Sequence, residues 1–275
     1  MKKLILVFLV LVFSAILVLA GKPDLTPTNV DVVPSHGHAK VTIPSNAVEV
    51  APGVFSLGSA IVDGEQVEGY AFVHYKDKEG LARKGGNALS GSSCYGFLSK
   101  GAKWKTIEPW IVNPTNIRSL DGNFVFSNLD SDISKWETAA GKNILGAGSV
   151  ISDILVADTV SPDNKNEVYF ANVDSPGAIA ITIVWGIFYG PPYQRVLVEW
   201  DQVYDDADFD WGINETGKMD FENIATHELG HSFGMNDLYT TSCVEQTMYG
   251  YATEGETKKR TLEAGDITGI KKLYF

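Results

Sequence analysis

The sequence predicts an α+β fold in which helices pack against one twisted, mixed β-sheet. Three β-rich runs follow one another at 166–173, 178–188 and 194–203. The middle run is apolar on both faces, as is typical of a central strand. Segments with helical spacing come before these runs, after them and at the C-terminus. Strands and helices in this order predict a layer of helices on a sheet.

The N-terminus predicts export from the cytoplasm. Lys2 and Lys3 precede about 17 mostly apolar residues, and small side chains precede Gly21. This is the pattern of a signal peptide over residues 1–20, so a secreted, extracellular protein is expected. The apolar segment 4–20 is also just long enough to stay as an anchor on the outer face of a membrane, and that alternative remains open.

The chain is expected to divide into a small N-terminal region and a larger domain. Residues 48–75 predict short strands separated by Asp-Gly and Glu-Gly turns. The following stretch, 76–93, is rich in glycine, serine and lysine and resembles a linker. We therefore predict a β-rich N-terminal region over 21–93, with a boundary near 79–93, and a second domain over 94–275.

Within the second domain, a strand is predicted at 104–113, and Asp130 or Asp132 is predicted to cap the helix that follows. The buried face of this helix would carry Ile133, Trp136 and Ala140. A final helix would bury Ile267, Ile270 and Tyr274.

The charge balance excludes one class of partner. The formal net charge is −12, and no basic cluster is present in the sequence. An acidic surface disfavours the phosphate backbone of nucleic acids and anionic lipids. We expect no nucleic-acid partner, and membrane attachment only through a retained N-terminal anchor.

The stretch ATHELGHSFGMNDLY, 225–239, predicts a metal site. Residues four apart lie on one face of a helix, so His227 and His231 can present two imidazoles to one Zn²⁺ ion. Glu228 lies near enough on the same helix to act as a general base. Gly234 can end the helix and let the chain bring Asp237 back as a third ligand. Three protein ligands with one open position are typical of a catalytic zinc site.

The same stretch resembles the extended motif His-Glu-x-x-His-x-x-Gly-x-x-His/Asp of the metzincin clan of zinc endopeptidases. Asp237 as third ligand resembles the snapalysin-type variant, since matrixins usually have histidine there. EQTMYGY resembles the methionine turn of the clan, with Met248 as its methionine, and the C-terminal LEAGDITGIKKLYF resembles the last helix of matrixins. The resemblance covers roughly residues 100–275.

The resemblance implies a metzincin-like fold and a secreted, matrixin-like zinc metalloendopeptidase. Glu228 would be its general base, His227, His231 and Asp237 its zinc ligands, and Met248 a structural residue. Protein or peptide substrates would bind as an extended strand along an edge strand within 178–203.

Two further features are open to alternatives. Matrixins commonly carry structural Ca²⁺, and the acidic run offers ligands at Asp205, Asp206, Asp208 and Asp210, although acidic surface turns are common without an ion. In an exported protein, Cys94 and Cys243 can form a disulfide. In matrixins a pro-region cysteine occupies the open position of the zinc, so the resemblance offers a second alternative, in which residues 21–93 are a pro-region and Cys94, directly after it, is a thiolate on the zinc. In a third, both cysteines are free.

Two other classes of function compete with an endopeptidase. One is a catalytically silent extracellular binding protein on the same fold, against which the intact Glu228 argues. The other is a secreted β-rich structural domain without metal, which a zinc determination would reveal.

Overall fold

One mixed sheet of nine strands carries the helices on one of its faces. The structure is a computed structural model and describes residues 39–76 and 94–275. The strands are β1 (Val48–Ala51), β2 (Val54–Val62), β3 (Glu65–Lys76), β4 (Glu108–Asn113), β5 (Leu145–Val150), β6 (Asn166–Ala171), β7 (Ala178–Ile187), β8 (Val196–Asp205), β9 (Trp211–Gly212), β10 (Met219–Asp220) and β11 (Tyr251–Ala252). The helices are α1 (Gly122–Ala140), α2 (Phe221–Ser232) and α3 (Ala264–Tyr274).

The strand order of the large sheet is β1-β2-β3-β7-β8-β6-β4-β5, and β11 pairs beside β3. The pairs β8–β6, β6–β4 and β4–β5 are parallel. The pairs β1–β2, β2–β3, β3–β7 and β7–β8 are antiparallel. The α+β fold with a mixed sheet is therefore confirmed. The three predicted β-rich runs are β6, β7 and β8, and β7 is buried along almost its whole length, as a central strand should be.

Two apolar clusters lie on opposite faces of the sheet. One packs the three helices against the sheet and includes Trp136 of α1, Leu229 of α2 and Ile270 of α3. The other covers the far face and includes Ile183 of β7 and Val203 of β8. Side chains alternate between the faces of a strand, so β7 contributes to both clusters.

Helix α1 begins earlier than the sequence predicted. Asp121 caps it by accepting a hydrogen bond from the Phe124 amide at 2.8 Å, so the predicted caps Asp130 and Asp132 lie within the helix. Asp132 is buried there and pairs with Lys135 at 2.6 Å. The buried positions Val125 and Leu129 extend the apolar spacing back towards the cap.

The remaining elements differ in detail from the predictions. The strand predicted at 104–113 is shortened to β4, and β5 was not predicted, because its Leu-Gly-Ala-Gly-Ser-Val sequence has few side chains typical of a strand. The final helix is confirmed as α3, which buries Ile270 and Tyr274, whereas Ile267 is only half-buried.

The N-terminal strands do not pack as a separate body. β3 pairs with β7 from Glu68 to Tyr75, so residues 48–76 and 94–275 share one sheet. The described residues all belong to one compact unit, Val32–Phe275. The boundary predicted near 79–93 therefore separates two stretches of sequence but not two independently packed domains.

The predicted edge strand is not an edge. β7 pairs with β3 on one side and β8 on the other, and β8 pairs with β7 and β6. Within the described sheet, the ends of the strand order are β1 and β5. The expectation that a substrate strand adds to a free edge within 178–203 is therefore wrong for this conformation.

Several N-terminal predictions concern residues outside those described. The signal peptide or anchor over 1–20 lies there, as does the linker predicted over 76–93 except for Lys76, which is the last residue of β3. Among the helices of the described residues, none is both long enough and apolar enough to cross a bilayer.

Candidate metal centre

Helix α2 places His227, Glu228 and His231 on the side that faces β7. Asp220 caps the helix by accepting a hydrogen bond from the Asn223 amide at 3.0 Å. Trp136 of α1 donates to the Thr226 carbonyl at 2.9 Å and thus fixes the helix from its other side. The chain then turns at Gly234, whose φ of +97° lies in the region that favours glycine.

This turn brings Asp237 to both histidines. Asp237 Oδ1 lies 3.2 Å from His227 Nε2 and 3.5 Å from His231 Nε2. His227 Nδ1 donates to the Thr247 carbonyl at 2.7 Å, and His231 Nδ1 donates to the Met235 carbonyl at 3.1 Å. Because a carbonyl only accepts, both histidines carry a proton on Nδ1, so Nε2, the atom that faces Asp237, is the one that can bind a metal.

The three atoms fit the ligands of a zinc ion. Tetrahedral zinc with bonds of about 2.0–2.2 Å separates its ligand atoms by roughly 3.3–3.5 Å, and the Nε2–Oδ1 distances are 3.2 and 3.5 Å. His227 Nε2 and Asp237 Oδ1 are buried without a hydrogen bond of good geometry to any described residue. Buried polar atoms are rarely left in this state, so a ligand for them is expected.

Glu228 is fully buried beside these ligands. Its Oε2 accepts a hydrogen bond from the Thr182 hydroxyl of β7 at 2.6 Å. Its Oε1 lies 3.5 Å from His74 Nδ1 of β3 and accepts no hydrogen bond from a described residue. Burial raises the pKa of Glu228 to about 7, although His231 and the Thr182 hydroxyl act in the opposite direction.

Burial and neighbouring charges also determine the protonation states of His227 and Asp237. Burial lowers the pKa of His227 to about 4 and so favours the neutral imidazole that a metal needs. Burial alone would raise the pKa of Asp237, but His231 and His227 outweigh it and hold that pKa well below its usual range. Asp237 is thus ionised in the metal-free site.

Met248 lies directly beneath helix α2. It is fully buried, and its sulfur occupies the space that a side chain at Gly230 would need. Asp266 of α3 accepts hydrogen bonds from the backbone amides of Thr247 at 2.8 Å and Met248 at 3.3 Å. α3 therefore fixes the turn whose Thr247 carbonyl holds His227.

Four contributors to the site were not predicted from the sequence. They are Thr182 on β7, His74 on β3, Tyr239, whose hydroxyl lies 3.0 Å from Asp237 Oδ2, and the fully buried Lys259 near His74. Thr182, His74 and Lys259 lie far from the motif in sequence, whereas Tyr239 is the last residue of the quoted stretch. The weak signals in the sequence were two polar residues, His74 and Thr182, within apolar stretches of β3 and β7.

The acidic run does not form a metal site among the described residues. Asp205 accepts the amides of Asp208 at 2.7 Å and Val173 at 2.9 Å, and Asp210 pairs with Arg118 at 2.9 Å. Asp206 accepts the Ile117 amide at 2.8 Å. These carboxylates brace the loop with ordinary hydrogen bonds and do not converge on one point.

A different group of carboxylates converges on the other side of the sheet. Oxygens of Asp158, Asp163 and Glu199 lie within 4.8 Å of one another. Glu199 is fully buried; its Oε2 accepts the amides of Asn164 and Lys165, whereas its Oε1 has no hydrogen-bond partner among the described residues. Burial and the Asp158 carboxyl raise the pKa of Glu199.

The two cysteines form a disulfide. Cys94 and Cys243 are bonded with their Cα atoms 5.4 Å apart, and they are 149 residues apart in sequence. No free cysteine remains in the chain. In this state, Cys94 is not available as a thiolate ligand for the metal.

Comparison with known proteins gives partial matches to one family. Residues 196–275 match the family model described as Matrixin. Human matrilysin is 38% identical over 73 residues, which are 25% of this chain and 26% of that protein. The Arabidopsis thaliana Metalloendoproteinase 2-MMP is 31% identical over 87 residues, which are 31% of this chain and 22% of that protein. The chain thus spans about a quarter of the length of the curated relatives it matches.

The matched segment contains β8, α2, the turn at Met248 and α3. These similarities support a matrixin-like metallopeptidase region at the C-terminal end of the chain. The strands before β8 lie outside the match to the family model.

Proposed function

We propose that the protein is a secreted zinc-dependent endopeptidase. The observation that carries this proposal is the approach of Asp237 Oδ1 to His227 Nε2 at 3.2 Å and to His231 Nε2 at 3.5 Å, beside a buried carboxylate at Glu228. A structural metal site is usually closed by four protein ligands, whereas three ligands and a neighbouring base are typical of hydrolysis. The apolar N-terminal segment supports export.

In peptide hydrolysis, each residue of the site would have a distinct role. His227, His231 and Asp237 would hold the zinc ion, which supplies Lewis acidity when bound. Glu228 would take a proton from the attacking water at Oε1, the oxygen that accepts no hydrogen bond, and deliver it to the leaving amine. Thr182 would keep the carboxylate oriented through its 2.6 Å hydrogen bond.

We also propose a different place for the calcium ion expected from the sequence. The oxygens of Asp158, Asp163 and Glu199 converge, and Oε1 of the buried Glu199 has no partner among the described residues. Hard cations such as Ca²⁺ prefer several such oxygens. This cluster fits a calcium ion better than Asp205 to Asp210, whose oxygens serve the loop itself.

The zinc and the base are tested together with a matched pair of variants. The full chain is expected to bind one zinc ion and to hydrolyse a peptide substrate in a chelator-sensitive reaction. Glu228→Gln should keep the zinc and lower hydrolysis by roughly 10²-fold to 10⁴-fold, the usual contribution of a general base. Glu245→Gln makes the same change at an exposed position and should leave both properties unchanged.

Two results would contradict the proposal. Hydrolysis that persists in purified Glu228→Gln would remove the general base from the scheme. Zinc bound by the native chain without hydrolysis of any peptide would favour the alternative of a silent extracellular binding protein.

A further inference from the structure

Asp237 is the candidate zinc ligand that does not lie on helix α2. The helix carries His227 and His231. Its C-terminal end fixes the chain as far as Met235, whose amide donates to the Gly230 carbonyl at 2.9 Å. Asp237 lies two residues further on, at a position that is neither helix nor strand. A ligand on irregular backbone keeps its place only if neighbouring parts of the chain hold that backbone.

Segment 94–98 holds the backbone just before Asp237. The two stretches run antiparallel and form a short bridge. Two main-chain hydrogen bonds make up this bridge: the Leu98 amide donates to the Gly234 carbonyl at 3.0 Å, and the Asn236 amide donates to the Gly96 carbonyl at 3.1 Å. The second bond is made by the residue next to Asp237, so segment 94–98 fixes the direction in which the chain reaches the metal centre.

The backbone after Asp237 is held in a different way. The Leu238 amide donates to the Met248 carbonyl at 2.8 Å. The turn at Met248 is itself fixed by Asp266 of α3, which accepts two of its backbone amides. A helix therefore secures the backbone after Asp237, whereas the backbone before it depends on segment 94–98.

The disulfide fixes segment 94–98 in this position. The segment is half-buried and has no regular secondary structure apart from the single bridge. Two hydrogen bonds offset only part of the conformational entropy that five residues lose when they become ordered. Cys94 is bonded to Cys243, which follows Asp237 by six residues on the same stretch of chain. This covalent tether keeps the segment at a high effective concentration next to its hydrogen-bond partners.

We propose that the Cys94–Cys243 disulfide is a positioning element of the metal centre, which holds segment 94–98 against the backbone before Asp237 and so keeps Asp237 Oδ1 beside the two histidines. This inference rests on the proposed zinc site and adds a determinant of its affinity. The histidines do not need the bond, because α2 carries both and its end fixes the Met235 carbonyl that orients His231. Disulfides persist outside the cytoplasm, so the site would have its full zinc affinity there.

The zinc affinity of four full-length chains tests the proposal without any measurement of hydrolysis. They are the native chain, Cys94→Ser/Cys243→Ser, Asp237→Ala and the triple variant, each titrated with zinc in competition with a chromogenic chelator. Loss of the disulfide should weaken zinc binding by roughly tenfold to hundredfold, the usual effect of removing a group that orients a metal ligand. In the Asp237→Ala background the same loss should change affinity by no more than about twofold, because no carboxylate remains to be positioned.

A matched control separates positioning from stability, since loss of the disulfide also destabilises the fold. Leu57 is buried in the cluster on the far face of the sheet from α2. Leu57→Ala should destabilise the chain to a similar extent, which urea unfolding measures, and should leave the zinc dissociation constant unchanged. A loss of affinity as large as that of the disulfide variant would show that stability alone sets zinc binding and would overturn the inference.

A second pair of variants decides the question if the disulfide variant does not fold. Leu98→Pro removes the amide that donates to Gly234 and leaves the disulfide in place, whereas Leu98→Ala keeps that amide and removes most of the side chain. Leu98→Pro should bind zinc more weakly than Leu98→Ala, again only when Asp237 is present. Equal zinc affinity in the two variants would show that the bridge does not position Asp237.

The outcomes separate this inference from the proposed function. Equal zinc affinity with and without the disulfide would overturn the inference and leave the endopeptidase proposal standing. An equal loss in the native and Asp237→Ala backgrounds would show that the bond does not act through Asp237 and would overturn it as well. If the native chain binds no zinc, the metal site is wrong and both proposals fail.

Discussion

A methyl group added at Gly230 would test the packing between the metal-binding helix and the turn beneath it. An ideal Cβ atom at this position would overlap the Met248 sulfur and would lie 2.9 Å from Cζ2 of Trp136 and 3.0 Å from Cε of Met248. Met248 and Trp136 are both fully buried. Neither side chain has solvent into which it could move, so Gly230→Ala forces α2 or the turn to shift.

The size of the effect follows from two opposing terms. Alanine is favoured over glycine inside a helix by about 0.8–1.0 kcal/mol. Overpacking a well-packed core costs about 1–3 kcal/mol. The Cβ atom would lie only 2.1 Å from the Met248 sulfur, so the upper part of the overpacking range, about 2–3 kcal/mol, applies. Less the gain of about 1 kcal/mol from alanine, the expected net loss in the free energy of unfolding is about 1–2 kcal/mol. Each kcal/mol corresponds to about 2–4 °C in Tm for a chain of this size.

Urea and thermal unfolding of the metal-free protein measure this loss, and a zinc titration measures its effect on the site. His227 and His231 flank Gly230 on α2, so zinc affinity should fall as well. Removing the clashing side chain provides the control: Gly230→Ala should cost less in a Met248→Ala background than in the native one. A stabilisation near 1 kcal/mol in the native background, the value of an open helix position, would refute the packing argument.

Two further predictions concern stability elsewhere in the chain. The disulfide joins residues 149 positions apart and so restricts the unfolded chain. Cys94→Ser/Cys243→Ser should therefore lower the free energy of unfolding by about 2–5 kcal/mol. An unchanged Tm would contradict a stabilising role for this bond. Burial and Asp158 raise the pKa of Glu199, so this carboxyl stabilises the fold at pH values below its unfolded pKa, and that contribution is lost as pH rises through the folded pKa. In the presence of a chelator, Glu199→Gln should therefore raise Tm at pH 8 more than at pH 5. Added calcium should raise the Tm of the native chain but not that of the variant. An equal rise in Tm in both chains would exclude Glu199 from a calcium site.

Local spacing predicted the elements that a short window of sequence encodes. His227 and His231 share a helix face because they are four residues apart, and Gly234 permits the turn that brings Asp237 to them. The β-rich runs 166–173, 178–188 and 194–203 correspond to β6, β7 and β8. These features depend on periodicity and on single backbone conformations, which are visible in the sequence.

Features set by contacts distant in sequence were missed. The pairing of β3 with β7 joins residues more than 100 positions apart, and nothing near His74 indicates that it meets Glu228. The cap at Asp121 was missed because Phe124 and Phe126 favour strands in isolation, although tertiary packing makes them helical. The edge strand was misplaced for the same reason. Whether β7 lies at an edge depends on its pairing with β3, which is distant in sequence.

The position of the disulfide determines what a cut in the chain would do. Cys94 is bonded to Cys243, on the same side of the stretch 77–93 as the whole metal centre. A break anywhere within 77–93 would therefore give two pieces that share no covalent bond. Strand β3 would change from a tethered part of the chain into a ligand with its own dissociation constant, and its occupancy of β7 would then depend on dilution. A single peptide-bond cleavage would in this way make the pairing of β3 with β7 depend on protein concentration.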